Sequence, residues 1–348
     1  MKLLIVTQAV DQNHPALGFF HQWIALLAER FEAVEVICLL EGAHALPQNV
    51  RVHSLGKERG RAVPLVYAAR FLRFAWKLRS AYDTVFVHMN PEYVVLGGCF
   101  WRLWHKRIVL WYTHRQVNLK LRIALMLANR VLTAARESFR LKSSKVAVIG
   151  HGIDVDAFAG DVPRSFHAPL RLLSVGRITA VKHLEVLIRA LALLVGDGID
   201  ATVTLIGAPA RPEDYAYEAS LKKRAHDLAV AERVRSEGPV ASETMPARYR
   251  EHDIAVNLAP TGGIDKSVLE SLASGLPTLL SNEAFESYLG PYAARLMFPQ
   301  NDAEALAQKI AALMQATDLA EMRAFLTHET RRRANLRSII DAIAHELT

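Results

Sequence analysis

Two stretches of this chain place reactive side chains where a buried strand gives way to a helix. In "DIAVNLAPTGGIDKSVLESLASGLPTLLS", Ile254 to Leu258 reads as a buried strand. Gly262 and Gly263 make a turn, Asp265-Lys266-Ser267 follow, and a helix begins. In "LRLLSVGRITAVKHLEVL", Arg177 lies just past a strand and Lys182 opens the next helix. The order strand, glycine turn, Lys-Ser, helix suggests a phosphate loop, but that pattern needs Gly, four residues, then Gly-Lys-Ser/Thr. Pro260 and Asp265 stand in the two glycine positions, and an Asp there repels phosphate. The general physics survives. A helix start presents unpaired N–H groups and a positive dipole end, which suit an anion or a hydroxyl-rich ligand. A plain strand-to-helix turn with no ligand fits the stretch equally well.

Other motifs say less. "GHGID" at 150–154 has two glycines of a dinucleotide fingerprint but lacks the third. Asp154 and Asp156 match a three-residue Asp-x-Asp metal pattern that chance supplies often. No His/Cys cluster has zinc spacing, and no metal is expected. Cys38 and Cys99 are too few for a disulfide framework, so a reducing compartment is the simpler expectation. "MKLLIVTQAVDQ" turns polar too soon for a secretory signal. "YVVLGGCFW" is too short to span a bilayer.

The elements that must hold these residues alternate. Strands are expected at "KLLIVTQ", "VEVICLL", "TVFVH", "RIVLWYT", "RVLTA" and "KVAVI", with helices at 18–31, 62–80, 92–106 and 119–129. Such alternation argues for a parallel sheet covered by helices on both faces. It breaks at "GDVPRSFHAP", a two-proline linker, and restarts with "LRLLSVG", the helix "KHLEVLIRALALLV", "ATVTLIG", a charged helix at 212–229, "IAVNLAP" and "LPTLLS". Helices fill 302–347. Two doubly wound domains are expected, 1–165 and 166–330, with the C-terminal helix 331–348 joining the first. Ligands in such sheets bind at the carboxyl ends of the strands.

Charge divides the chain. Residues 1–168 carry 22 Lys+Arg against 12 Asp+Glu, and the remainder 20 against 23. A basic half beside a mildly acidic one suggests an anionic partner for the first half. Nucleic acid is a poor fit despite a pI of about 9.4, because no recognition helix or aromatic RNA motif accompanies the charge.

Several segments, taken in order, resemble family-4 glycosyltransferases of the GT-B fold. "LLSVGRITAVKHLEVLIRALALL" is similar to that family's Gly-Arg … Lys-Gly segment. "DIAVNLAP…VLESLASGLPTLLS" is similar to its donor loop, which usually ends Leu-Glu-Ala-Met-Ala-x-Gly-x-Pro. "KVAVIGHGIDVDAF" resembles its domain-closing Asn-Gly-Val-Asp, with His151 in place of the asparagine. The opening strand with its glycine-led helix, and the histidine after "VLWYT", resemble its first domain. The likeness covers most of the chain and is closest over 170–282.

The resemblance implies an α/β protein of two Rossmann-like doubly wound domains facing each other across a cleft. It implies a retaining glycosyltransferase that needs no cofactor or metal and takes a nucleotide-diphosphate sugar as donor. Expelling pyrophosphate builds negative charge, which fixed cations stabilise. Arg177 and Lys182 are the expected pair, with His114 close to the donor sugar. Glu270 would accept the two ribose hydroxyls. The backbone N–H groups of Gly263, Ile264 and Asp265 would approach sugar and phosphate, and Gly18 would face the pyrophosphate. The family pattern has a second Glu where this chain has Gly262. Asp265 is expected to replace it, with Lys266 as its partner or as a further phosphate contact. Asp11 and His88 are acceptor-side candidates.

The implied acceptor is a glycan or a lipid-linked sugar, met at the inner face of the cell membrane. In "VPLVYAARFLRFAWKLRS" (63–80), Leu65, Ala68, Leu72 and Ala75 share one helical face. Arg70, Arg73 and Lys77 form a nearly opposite stripe, flanked by Tyr67, Phe71, Phe74 and Leu78. Cations beside aromatics suit an interface helix on anionic lipid. The rival reading is a sugar-nucleotide-binding protein without transferase activity.

Overall fold

The computed structural model describes residues 1–14, 17–60, 62–159, 165–166 and 168–348. The chain forms two compact units, Met1–Gly152 with Arg337–Thr348, and Ile153–Leu336. The first boundary thus falls before the expected 165, because Ile153 already pairs with Asn335 inside the second unit. Most of the expected two-proline linker, residues 160–164 and 167, lies outside the described residues.

The first unit opens with β1 (Lys2–Val10), α1 (Phe19–Ala28), β2 (Ala33–Glu41) and β3 (Val50–Ser54). It continues through α2 (Pro64–Lys77), β4 (Thr84–His88), α3 (Pro91–Leu103), β5 (Arg107–Trp111), α4 (Leu119–Leu127), β6 (Arg130–Thr133) and β7 (Val146–Val148). The strands form one sheet in the order β3-β2-β1-β4-β5-β6-β7, with every pair parallel. Its middle strands are buried on both faces, so they read as unbroken apolar runs. β3 was not expected, since "VRVHS" is short and half polar.

The second unit holds β8 (Leu170–Val175), α5 (Leu184–Gly196), β9 (Ala201–Ile206), α6 (Pro212–Asp227), β10 (Val234–Gly238), α7 (Met245–Arg250), β11 (Ile254–Asn257), α8 (Lys266–Ala273) and β12 (Thr278–Leu280). Short helices α9 (Glu286–Leu289) and α10 (Ala293–Leu296) lead to α11 (Ala303–Met314) and α12 (Leu319–Ala334). The sheet order is β10-β9-β8-β11-β12, again parallel. The last helix, α13 (Leu336–Leu347), belongs almost wholly to the first unit. Glu346 holds it there, accepting from Arg130 Nε at 2.8 Å and Nη2 at 2.7 Å.

Each sheet reverses its winding once, between β1 and β4 in the first and between β8 and β11 in the second. At such a point adjacent strands send their connections to opposite faces, which opens a crevice at the carboxyl ends. Both crevices carry pockets.

Candidate functional site

In the second unit the pocket forms where β8, β9 and β11 end. Gly176, Arg177, Ile178, Lys182, Asn257 and Leu258 line it. Two glycines shape its floor. A Cβ on Gly207 would lie 2.0 Å from the Gly176 carbonyl oxygen, and both residues have positive φ, 135° and 146°. Only glycine fits such a close approach. Arg177 is exposed at the rim and has no ion pair among the described residues. His183, where the resembled segment has glycine, sits in the left-handed region at φ 45°. Its Nδ1 is 3.3 Å from Glu185 Oε1.

Lys182 is engaged. Its Nζ donates to Asp265 Oδ2 at 2.5 Å, and Asn257 Nδ2 donates to the same oxygen at 3.0 Å. The expected partner of Asp265 was Lys266, one residue on. Helix geometry turns Lys266 away: it opens α8 on the side of Glu270, four residues later. Asp265 Oδ1 has no hydrogen-bond partner among the described residues. The carboxylate is therefore fixed through one oxygen and open at the other.

Glu270 is half-buried one turn into α8. Tyr249, on α7, donates its hydroxyl to Glu270 Oε2 at 3.1 Å, with the Ser267 carbonyl oxygen at the same distance. Burial pushes the Glu270 carboxyl above its ordinary value, and Lys266 and Tyr249 draw it back. Burial also lowers the Lys266 ammonium, opposed by Glu270. The "MPARYREH" stretch gave no sign of Tyr249, because its role depends on α7 packing beside α8.

The glycine turn is strapped by the segment after β12. Asn282 Nδ2 donates to the Gly263 carbonyl oxygen at 2.8 Å, and Glu283 N donates to Thr261 Oγ1 at 3.1 Å. Asn257 Oδ1 accepts from Ala259 N at 3.1 Å. A Cβ on Gly263 would meet nothing within 4 Å, so packing does not demand glycine there. Asn257, Asn282 and Tyr249 are the residues that sequence reasoning missed. Asp154, from the Asp-x-Asp pattern, accepts from Ala157 N at 3.4 Å and shapes a turn.

In the first unit a pocket of about 310 Å³ lies at the ends of β1, β4 and β5, lined by Gln8, Leu17, His88, Asn90, Glu92 and His114 among others. His114 is exposed, and its Nδ1 accepts from Gln116 N at 3.1 Å. His88, the second histidine expected to serve a ligand, is 2% exposed and stacks on Phe20 at 3.8 Å. Its Nδ1 is 3.3 Å from Thr7 Oγ1. Burial, helped by nearby His151, pushes its pKa down to about 3, so it is a neutral core histidine at physiological pH. Asp11 Oδ1 accepts from Asn13 N at 3.0 Å, and its side chain lies against Gly42. Gly18 has a local reason as well: a Cβ would stand 2.6 Å from the Gln12 carbonyl oxygen.

On α2 the aromatic flank turns inward. Phe71 is fully buried in the core, and Tyr67, Phe74 and Leu78 pack against it. These rings serve packing, and burying one such side chain is worth about 2 kcal/mol. The solvent face instead carries Leu65, 78% exposed, and Trp76, 54% exposed, interleaved with Arg73 and Lys77. Arg70 is exposed but its Nη1 donates to the Leu55 carbonyl oxygen at 2.5 Å.

The two parallel α/β units are those of the GT-B fold. HepE of Anabaena, solved with UDP and glucose, has a TM-score of 0.77 at 17% identity, over 99% of this chain and 98% of its own. Sucrose-phosphate synthase of Thermosynechococcus elongatus gives 0.79 at 14%, again over 99% and 98%. Residues 169–316 match the family model described as "Glycosyl transferases group 1", a span that lies within the second unit and includes Arg177, Lys182, Asp265 and Glu270. The amylovoran biosynthesis glycosyltransferase AmsK of Erwinia amylovora is 29% identical over 180 residues, 50% of this chain and 43% of its own. A protein of Escherichia coli provisionally named the colanic acid biosynthesis glycosyltransferase WcaL is 26% identical over 212 residues, 59% and 51%. The chain spans about half the length of these two relatives.

Proposed function

We propose that this chain is a glycosyltransferase that moves a sugar from a nucleotide-diphosphate sugar to a glycan or lipid-linked acceptor. One coincidence carries the reading. The family match falls on the unit that brings Arg177, Lys182 and Asp265 to its strand ends and carries Glu270 on the following helix. The UDP in HepE and the polysaccharide pathways in the relatives' names support the same substrate class.

Breaking the sugar–diphosphate bond leaves an electron pair on the diphosphate oxygen. Arg177, unpaired at the rim, faces that charge. Lys182, held by Asp265 until a ligand arrives, supplies the second cation. The Asp265 oxygen left open accepts a donor-sugar hydroxyl in place of the Glu missing at Gly262. Glu270, steadied by Tyr249, accepts the ribose hydroxyls. His114, which lines the first unit's pocket, serves the donor sugar. The transfer retains the anomeric configuration and uses no divalent metal, so EDTA should leave turnover unchanged.

The enzyme works peripherally at the cytoplasmic membrane face, through the basic and apolar face of α2. No helix among the described residues is long and apolar enough to cross a membrane. A thermal-shift screen of sugar nucleotides tests the donor assignment, because a bound ligand raises apparent stability. Donor consumption only when acceptor is present distinguishes a transferase from a mere sugar-nucleotide binder.

A further inference from the structure

Beside the polar pocket of the first unit lies a larger groove of about 530 Å³. It runs between α2 and α3 over the end of β2, lined by Leu39, Tyr67, Ala68, Tyr93, Val95 and Leu96. The volume is that of a ligand site. The Tyr67 hydroxyl is already satisfied, accepting from Ala62 N at 3.0 Å and donating to the Gly60 carbonyl oxygen at 3.3 Å. The wall between the helices is therefore almost purely apolar.

The groove is continuous with the polar pocket: Gln8, Asn90 and Glu92 line both. At this junction Gln8 Nε2 donates to Asn90 Oδ1 at 2.9 Å, and Lys120 pairs with Glu92 at 3.1 Å. The amino ends of α3 and α4 open here, marked by Asn90 and by Asn118, the latter capping Leu121 N at 2.9 Å. Lys120 and Glu92 offset each other there, and the two helix amino ends leave the junction favourable to an anion. An apolar channel leading from an anion-friendly, hydroxyl-binding pocket fits one kind of molecule.

The surroundings fit as well. Leu65, Trp76, Phe100, Leu103, Leu119 and Met126 are all exposed, and all lie on α2, α3 or α4. Between residues 62 and 127 the only acids are Asp83 and Glu92, against ten Lys and Arg. The groove therefore opens in a helical layer suited to anionic lipid.

We propose that this groove holds the apolar tail of a phosphorylated lipid acceptor, with the phosphate at the junction and the sugar in the polar pocket. The proposal rests on the glycosyltransferase reading and narrows its acceptor from a glycan or lipid-linked sugar to the lipid-linked class.

The test uses alkyl phosphates below their micelle concentration, measured by calorimetry on the full chain. Hexyl, octyl and decyl phosphate should bind with a gain of about fourfold per added methylene, the value for burying one CH₂. Inorganic phosphate should bind far more weakly. Ala68→Trp, which fills the groove, should remove the chain-length dependence; Val95→Asp is the second variant should the first not fold. Affinity independent of tail length, or a dependence unchanged in the filled variant, overturns the proposal. Phosphatidylglycerol vesicles separate tail from bulk lipid. Vesicle binding should survive Ala68→Trp, and its loss would make the groove a membrane anchor, overturning the acceptor assignment. UDP binding to wild type is measured in parallel. If it fails while the tail series holds, the donor reading falls and the groove assignment stands.

Discussion

The two units solve the same topological problem differently at their winding reversals. In the second, the strand ends are crowded and tied. Asn257, Lys182 and Asp265 form one bonded group, Asn282 and Thr261 strap the turn, and Tyr249 holds Glu270. In the first, the strand ends leave open pockets of about 310 and 530 Å³, with Lys120 and Glu92 paired at their junction. Groups that are already bonded need little reorganisation to meet a small, highly charged ligand. Open, largely apolar space suits a larger and more variable one.

The sharpest break of this contrast would come from Arg177. As the unpaired cation of the tied site, Arg177→Ala should lower turnover about a hundredfold, roughly 3 kcal/mol, with the melting temperature unchanged. Near-normal turnover would remove the leaving-group role from the second unit.

His88 tests whether the first unit's pocket has a rigid floor. Its folded pKa lies below its unfolded value of 6.5, so the folded state binds fewer protons in acid. Stability is therefore present above pH 6.5 and lost as pH falls toward 3, by about 3 kcal/mol near pH 4.5. Urea melts across this range should show the slope in wild type, and His88→Phe should flatten it.

The cations on α2 come next. Arg73→Glu with Lys77→Glu should weaken sedimentation with anionic liposomes at low salt by roughly thirtyfold, at about 1 kcal/mol per residue. Arg70 is left in place because it bonds the Leu55 carbonyl oxygen. Wild type that ignores anionic liposomes would leave the basic face without a lipid role.

Within the tied site, Asp265→Asn should weaken sugar-nucleotide binding about tenfold and free nucleoside diphosphate binding much less. Glu270→Gln should weaken both alike. Equal loss for both ligands in the Asp265 variant would mean that it shapes the loop and grips no sugar. The smallest effect is at His183, a non-glycine residue in the left-handed region. His183→Gly should stabilise the protein by about 1 kcal/mol in chemical denaturation.

The sequence alone determined the alternation of strands and helices, the presence of two doubly wound units, and the placement of Arg177 and Lys182 at a strand end. These follow from local periodicity, and each strand buried on both faces writes its apolar run plainly into the chain. The same legibility failed for β3 and β10, which are short, half-polar edge strands. Tertiary structure alone decided who bonds whom. Asp265 meets Lys182 across more than eighty residues rather than its neighbour Lys266. Tyr249 reaches Glu270 because α7 and α8 are adjacent in space. The α2 aromatics face the core because the sheet lies on that side, and Trp76 faces out. Periodicity fixes which residues share a face, but only the packed neighbour fixes which face is inside. Cavities are set in the same way, and the groove between α2 and α3 exists only where two helices diverge over a strand end.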